Sequence, residues 1–285
     1  MISTKGALVL AGGGVAGIAW ETGFLLGLQD EAPGLVRRLL THSTTLVGTS
    51  AGSTVAAQIA TGNNLQQLFD RQVAAMTAER IAVIDLAQLG GMVTEATKDA
   101  ASPEQARQRL GTLAREADTP PAAVRRAVIE ARLTTHEWSD WPLLIPAIDT
   151  STGELRVFDN TSGTNLVDVV AASCAVPAVW PPVEIEGRLY MDGGARSLAN
   201  ADLAAGAAQV LILVPSPAES SFGVAVSDEQ LRALDPARVR MINADAASLK
   251  AMGANPLDPE SRTPAAQAGR DQGRRLAAEV DTFWS

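Results

Sequence analysis

Gly48-Thr49-Ser50-Ala51-Gly52 has the residue types and spacing of a serine nucleophile. The β-branched and apolar run Thr44 to Val47 precedes it and reads as a buried strand. The Ala-rich run Thr54 to Ala60 follows as a helix closed by Gly62. Strand, Gly-x-Ser-x-Gly and helix together make a nucleophile elbow. Such a turn is sharp enough that a Cβ two residues before or after the serine would collide, so Gly48 and Gly52 are required while Thr49 and Ala51 are free to vary. Ser50 then presents its hydroxyl at a helix start, where free amides and the helix dipole favour negative charge. The competing reading is a glycine-rich turn that only joins two buried elements.

A serine nucleophile needs a base, and the chain holds only His42 and His136. In the α/β-hydrolase order of serine, acid and histidine, His136 would have to draw its acid from a helical stretch, and no histidine follows Asp192. A carboxylate base remains. Asp192 ends a strand and is followed by Gly193 and Gly194, which allow close approach of another segment; a plain β-turn is the alternative.

A third stretch, Gly12-Gly13-Gly14-Val15-Ala16-Gly17, lies between an expected strand, Lys5 to Ala11, and a helix, Ile18 to Leu28. Loop amides and a helix N-terminus aimed at one place favour an anion. Gly12, Gly14 and Gly17 also fit the dinucleotide fingerprint, which needs an acid at the end of the second strand. That strand ends in Gly-Thr-Ser, whereas Asp30 and Glu31 follow a helix, so a transient oxyanion suits the loop better than a pyrophosphate.

The elements that must position these groups read as alternating α/β. Leu35 to Leu40 is a short helix, with His42 in the loop before the elbow strand, and Leu65 to Ala78 is an amphipathic helix. A mostly helical insert, about 80–135 and starting near Ile81, is broken at Gly90-Gly91, Ser102-Pro103, Asp118 and Pro120-Pro121. It covers one sheet face or forms a lid, in which Leu86, Leu89, Met92 and Val93 are channel-lining or, by their helical spacing, core. Trp141 to Ala147 and Glu154 to Phe158 read as strands, and Asn165 to Ala172 as a helix capped by Thr164 or Asn165. The prolines around Trp180 predict an extended stretch. Val183 to Ile185 and Leu189 to Met191 form a hairpin that delivers Asp192, and Ala207 to Val214 is a further buried strand. From about 227 to 285 the chain reads as helical, with Pro259 to Gly269 as its flexible piece.

Composition narrows the partners. With 285 residues, 46% hydrophobic and 19% charged, the chain is globular and large enough for a substantial core. A net charge of −9 without a basic block speaks against nucleic acid. No apolar run reaches the ~20 residues of a membrane span, and no signal peptide is legible, so a cytoplasmic location is expected. The single cysteine, Cys174, excludes an internal disulfide. Neither a zinc pattern nor a Gly-Lys-Ser/Thr phosphate loop is present, and no metal or cofactor is expected.

Taken in order, the glycine loop, the serine elbow and Asp192-Gly193-Gly194 resemble the patatin-like phospholipase family of serine acyl hydrolases. Ala172-Ser173-Cys174-Ala175-Val176-Pro177 with Trp180-Pro181-Pro182 is similar to the family's stretch upstream of its aspartate. The resemblance covers about residues 5–215. It implies a three-layer α/β/α sandwich as a single domain, carrying the helical insert and a helical C-terminal segment. It also implies Ser50 as nucleophile, Asp192 as its only base, and an oxyanion hole from Gly12, Gly13 and Gly14. The expected partner is a lipid or small acyl-ester substrate, met in part at a membrane or micelle surface; oligomeric state is not legible. Two positions depart from the family pattern: Ala16 stands where Arg or Lys is common, and Trp20 where His is common. The absent cation weakens the case for a charged phosphate headgroup and leaves neutral esters equally open. A non-catalytic lipid-binding regulator that keeps the fold is the alternative, and intact Ser50 and Asp192 argue against it.

Overall fold

Gly6–Leu10 forms β1, a strand buried along its whole length, as the uncharged run GALVL predicts for the centre of a parallel sheet. The computed structural model describes residues 6–80, 86–217, 219–220 and 223–285, so Lys5, Ile81 and the Leu86 side chain lie outside the described residues. The strands that follow are β2 (Thr44–Gly48), β3 (Leu143–Asp149), β4 (Leu155–Phe158), β5 (Val183–Ile185) and β6 (Arg188–Asp192). After them come β7 (Gln209–Val214), the two-residue pair β8 (Glu219–Ser220) and β9 (Gly223–Val224), and β10 (Arg238–Asn243). The main sheet runs β10-β7-β1-β2-β3-β6-β5, with β4 attached to β3. From β10 to β3 neighbouring strands are parallel; β4 and β6 pair with β3, and β5 with β6, antiparallel.

The helices are α1 (Gly14–Glu31), α2 (Pro33–Leu39), α3 (Ala51–Ala60), α4 (Leu65–Val73), α5 (Leu86–Thr97) and α6 (Pro103–Glu116). They continue with α7 (Ala122–Arg132), α8 (Leu166–Ser173), α9 (Asp228–Ala233), α10 (Ala246–Met252) and α11 (Arg262–Trp284). Strand alternation divides the core between two sheet faces. Leu8, Leu10, Leu46, Leu211 and Leu213 face α1, α3, α8 and α11. Ala7, Val9, Val47, Val210 and Ile212 face Ala199 to Ala207 and Leu231 of α9. Beside β3 and β6 this second face is closed by α6, whose Leu110 and Ala114 pack on Ile148 and Met191. The result is a mixed sheet with helices on both sides, the three layers the sequence predicts. Among the described residues, no helix is long and apolar enough to cross a membrane.

α1 and α11 meet at backbone distance. A Cβ on Gly23 would stand 2.1 Å from the Ala266 carbonyl oxygen, and one on Gly273 2.2 Å from that of Phe24. The insert is bolted down: Arg107 and Gln108 of α6 donate to the Gly153 and Thr152 carbonyls at 2.6 and 2.9 Å, and Arg126 of α7 pairs with Asp168 of α8 at 2.7 Å. Leu89 packs with Val179 and Trp180, while Met92 is 37% exposed.

Several expectations need correction. The C-terminal segment is helical except for Arg238–Asn243, which is the edge strand β10, paired in parallel with β7. α1 begins at Gly14, so Val15, Ala16 and Gly17 are helical and the free loop is only Ala11 to Gly13. α4 ends at Val73 rather than Ala78, because Ala74 to Ala78 are exposed and have no apolar face to bury. Gly90 and Gly91 do not break α5. The stretch before Trp180 is a turn, not extended: the Val179 and Trp180 amides both donate to the Val176 carbonyl at 3.0 Å. Pro259 to Gly269 is packed, with a 3-10 turn at Pro259–Ser261 and Ala265 and Ala266 fully buried.

Candidate active site

β2 and α3 hold Ser50 at φ 52° and ψ −113°, a conformation that a non-glycine residue adopts only under constraint. The constraint is visible on both sides of the residue. The Ser50 amide donates to Ser173 Oγ at 3.0 Å, and Ser173 Oγ in turn donates to the Pro146 carbonyl at 2.8 Å. The Ser50 carbonyl accepts from Ser53 Oγ at 2.6 Å and Cys174 Sγ at 3.1 Å. Burial keeps the Cys174 thiol protonated, raising its pKa against the charges of Arg132 and Arg125. The two elbow glycines are needed for different reasons. A Cβ on Gly48 would meet the Gly52 carbonyl oxygen at 2.5 Å, across the turn as expected. One on Gly52 would meet the Leu10 carbonyl oxygen of β1 at 2.0 Å, a contact with a neighbouring strand that the motif alone does not reveal.

Register brings Asp192 to the same level. Val47 pairs with Leu144, so three residues further on Ser50 is level with Ala147, and Ala147 pairs with Asp192. The Asp192 amide donates to the Ala175 carbonyl at 2.9 Å, and its Oδ1 accepts from the Gly194 amide at 2.7 Å. Asp192 is 4% exposed, and the Ser50 hydroxyl lies near enough to favour its ionised form. Burial pushes its pKa up to about 6, against the Gly194 amide, the Ser50 hydroxyl and the Arg125 charge, which lower it. A carboxylate at that value accepts a proton more readily than an ordinary aspartate.

The glycine loop lies beside this pair. A Cβ on Gly12 would stand 3.4 Å from the Ser50 Cβ. The Gly12 amide, however, donates to the Leu198 carbonyl at 2.8 Å, whereas among the described residues the Gly13 and Gly14 amides have no partner. The Ala51 amide, directly after the serine, is also unpartnered among them. Gly14, Val15, Ser50 and Ala51 line one cleft, together with Arg125, Arg132, Cys174, Val176, Trp180 and Leu257. Its volume of about 20 Å³ holds about one water, so a larger molecule enters only if lining side chains give way.

Both histidines lie elsewhere. His42 stacks on Trp141 with ring centroids 4.7 Å apart, and His136 Nε2 bonds the Glu130 carbonyl at 3.2 Å. Sequence reasoning missed Ser173, Asn200 and Arg125. Asn200 is fully buried, and its Nδ2 donates to Thr49 Oγ1 at 3.1 Å and to the Gly193 carbonyl at 3.2 Å. It therefore ties the residue before Ser50 to the residue after Asp192. An asparagine in a polar loop gives no sequence signal for that role, whereas Ser173 lies in a stretch already noted for its resemblance.

No curated protein sequence matches the chain. Among solved structures, VipD from Legionella pneumophila is similar at 12% identity and a TM-score of 0.45, over 97% of this chain and 67% of VipD. The type III effector protein ExoU is similar at 15% identity and a TM-score of 0.41, over 98% of this chain and 54% of ExoU. This chain thus spans about two thirds of the first and about half of the second. The profile described as patatin-like phospholipase matches residues 8–205, which carry the glycine loop, the elbow and the Asp192 turn. By that match the chain belongs to the patatin-like phospholipase family.

Proposed function

We propose that this protein is a serine lipid acyl hydrolase that cleaves carboxylic esters through an acyl-enzyme on Ser50, with Asp192 as general base. The observation that carries the reading is the buried Asp192 carboxyl beside the Ser50 hydroxyl at a constrained elbow. As the hydroxyl attacks the ester carbonyl, Asp192 takes its proton. The unpartnered amides of Gly13, Gly14 and Ala51 are the donors available for the oxyanion, while Gly12 serves by letting the loop lie close to Ser50. Asp192 returns the proton to the leaving alcohol, and water then releases the acid by the same route.

The test is a panel of p-nitrophenyl esters and phospholipids. Wild type is expected to hydrolyse at least one class, and Ser50→Ala none above background. Asp192→Asn should lose about 10²-fold or more in kcat, the usual contribution of a general base. Full activity in Ser50→Ala would remove the nucleophile assignment.

A further inference from the structure

Among the described residues, four arginines and one carboxylate line the two spaces beside Ser50. Arg71 of α4, Arg132 of α7 and Arg262 at the start of α11, with Glu79, line a cavity of about 160 Å³. Ile18 and Arg132 also line the Ser50 cleft, so the two spaces share a wall, and Arg125 of α7 projects into the cleft. Glu79 is taken by Arg132, in a fork of 2.7 and 2.8 Å. Burial raises the Glu79 carboxyl, but the charges of Arg132, Arg125 and Arg262 hold it below its usual value, so it stays ionised.

The remaining guanidiniums meet only backbone or an aromatic face among the described residues. Arg71 Nη2 donates to the Ala131 carbonyl and Arg262 Nη2 to the Arg71 carbonyl. Arg125 lies over the Trp180 ring at 4.0 Å. Among the described residues, Arg71 Nη1 and Arg125 Nε are buried with no hydrogen-bond partner, and Arg125 as a whole is 6% exposed. Asp192, whose charge also acts on Arg125, accepts from the Gly194 amide at 2.7 Å. Burial and the neighbouring charge of Arg132 lower the Arg125 pKa to about 10, still charged at neutral pH. Buried guanidinium nitrogens without a hydrogen-bond partner are costly, and planar guanidinium forks fit tetrahedral oxyanions with several acceptor oxygens.

We propose that this cavity is an anion subsite that receives the phosphate group of a phosphodiester-bearing ester while the substrate's carboxyl ester lies at Ser50. The inference rests on the acyl-hydrolase reading above. It also changes the meaning of Ala16: the cation missing from the glycine loop is supplied from α4, α7 and α11. Arg71 and Arg262 supply charge in the cavity, Arg132 is held in place by Glu79, and Arg125 stands at the side of the cleft.

A matched pair of substrates tests it: lysophosphatidylglycerol and a monoacylglycerol with the same acyl chain. Their kcat/KM ratio is measured for wild type, Arg71→Met, Arg262→Met and Arg38→Met. Arg38 pairs with Asp281 on the exposed surface and serves as the control. The ratio should fall about tenfold or more in Arg71→Met and Arg262→Met, mainly through KM, and stay at the wild-type value in Arg38→Met. Equal losses on both substrates would reveal a purely structural role and overturn the proposal, as would a wild-type enzyme with no preference for the phosphodiester. Calorimetric titration of Ser50→Ala with glycerol 3-phosphate and with decanoate reads the cavity without turnover, so it still decides if no ester is hydrolysed and the hydrolase reading fails. Saturable glycerol 3-phosphate binding, weakened about tenfold by adding Arg71→Met, supports the subsite. Binding of decanoate in its place, or no binding of either, overturns it.

Discussion

At φ 52° Ser50 occupies a region that costs roughly 1–3 kcal/mol, and the bonds from Ser53, Cys174 and Ser173 to its own peptide groups offset that cost. Asp192 carries a second cost. Its folded pKa of about 6 lies above the ordinary aspartate value of ~3.9, so between those two pH values the folded state holds a proton that the unfolded state has lost. Stability contributed by this group is therefore full below about pH 4 and declines as pH rises through about 6. Asp192→Asn should accordingly be more stable than wild type at pH 7, by as much as ~3 kcal/mol, with the gain vanishing near pH 4. Urea denaturation at the two pH values checks this. For the same reason kcat/KM should fall about tenfold per pH unit below about 6, where the base is protonated. A flat profile down to pH 4 would rule out Asp192 as the base.

β2, β6 and the turn after β6 set the distance between nucleophile and base, and Asn200 is the residue that ties them together. It sits at φ 48°, so glycine removes the side chain without straining the backbone. Asn200→Gly should lower kcat by about 10²-fold with a smaller change in KM, since a displacement of ~1 Å is enough for such a loss. Equal turnover in the variant would mean that Thr49 and Gly193 hold their places unaided. Much of this scale is legible in the sequence: the strand before Gly12, the elbow and the hairpin before Asp192 each carry a local signal of apolar residues ended by glycine. β10 carries none. In Arg-Val-Arg-Met-Ile-Asn the charged residues face solvent on an edge strand, and the pairing that makes it a strand comes from β7. The turn before Trp180 was likewise hidden, because prolines there suggest extension while Ala178 adopts φ 63°. The arginines of α4, α7 and α11 are scattered from 71 to 262, and only the folded chain gathers them.

Across the whole molecule, the chain closes on itself where α11 packs along α1, the helix that begins at the glycine loop. Gly23, Gly27, Gly269 and Gly273 let the two backbones approach, and Trp20 Nε1 donates to Gln272 Oε1 at 3.2 Å across the seam. Pro256, just before α11, accepts the Ala16 amide at 2.9 Å and so fixes the N-terminal turn of α1 beside Ser50. Gly273→Ala places a methyl 2.2 Å from the Phe24 carbonyl oxygen, so a loss of about 3 kcal/mol or more is expected in urea denaturation. The fraction that remains folded should keep wild-type kcat, because neither Gly273 nor Phe24 lines the cleft. A change in kcat without a change in stability would contradict that separation.

The central claim is that Ser50 is activated for attack. Its most direct measurement is the intact mass of the protein after exposure to a fluorophosphonate at pH 7.5, with the adduct mapped by peptide sequencing. One adduct on Ser50 is expected, absent in Ser50→Ala and formed at least tenfold more slowly in Asp192→Asn. Labelling at another serine, or a folded wild-type protein that takes up no probe, would contradict it.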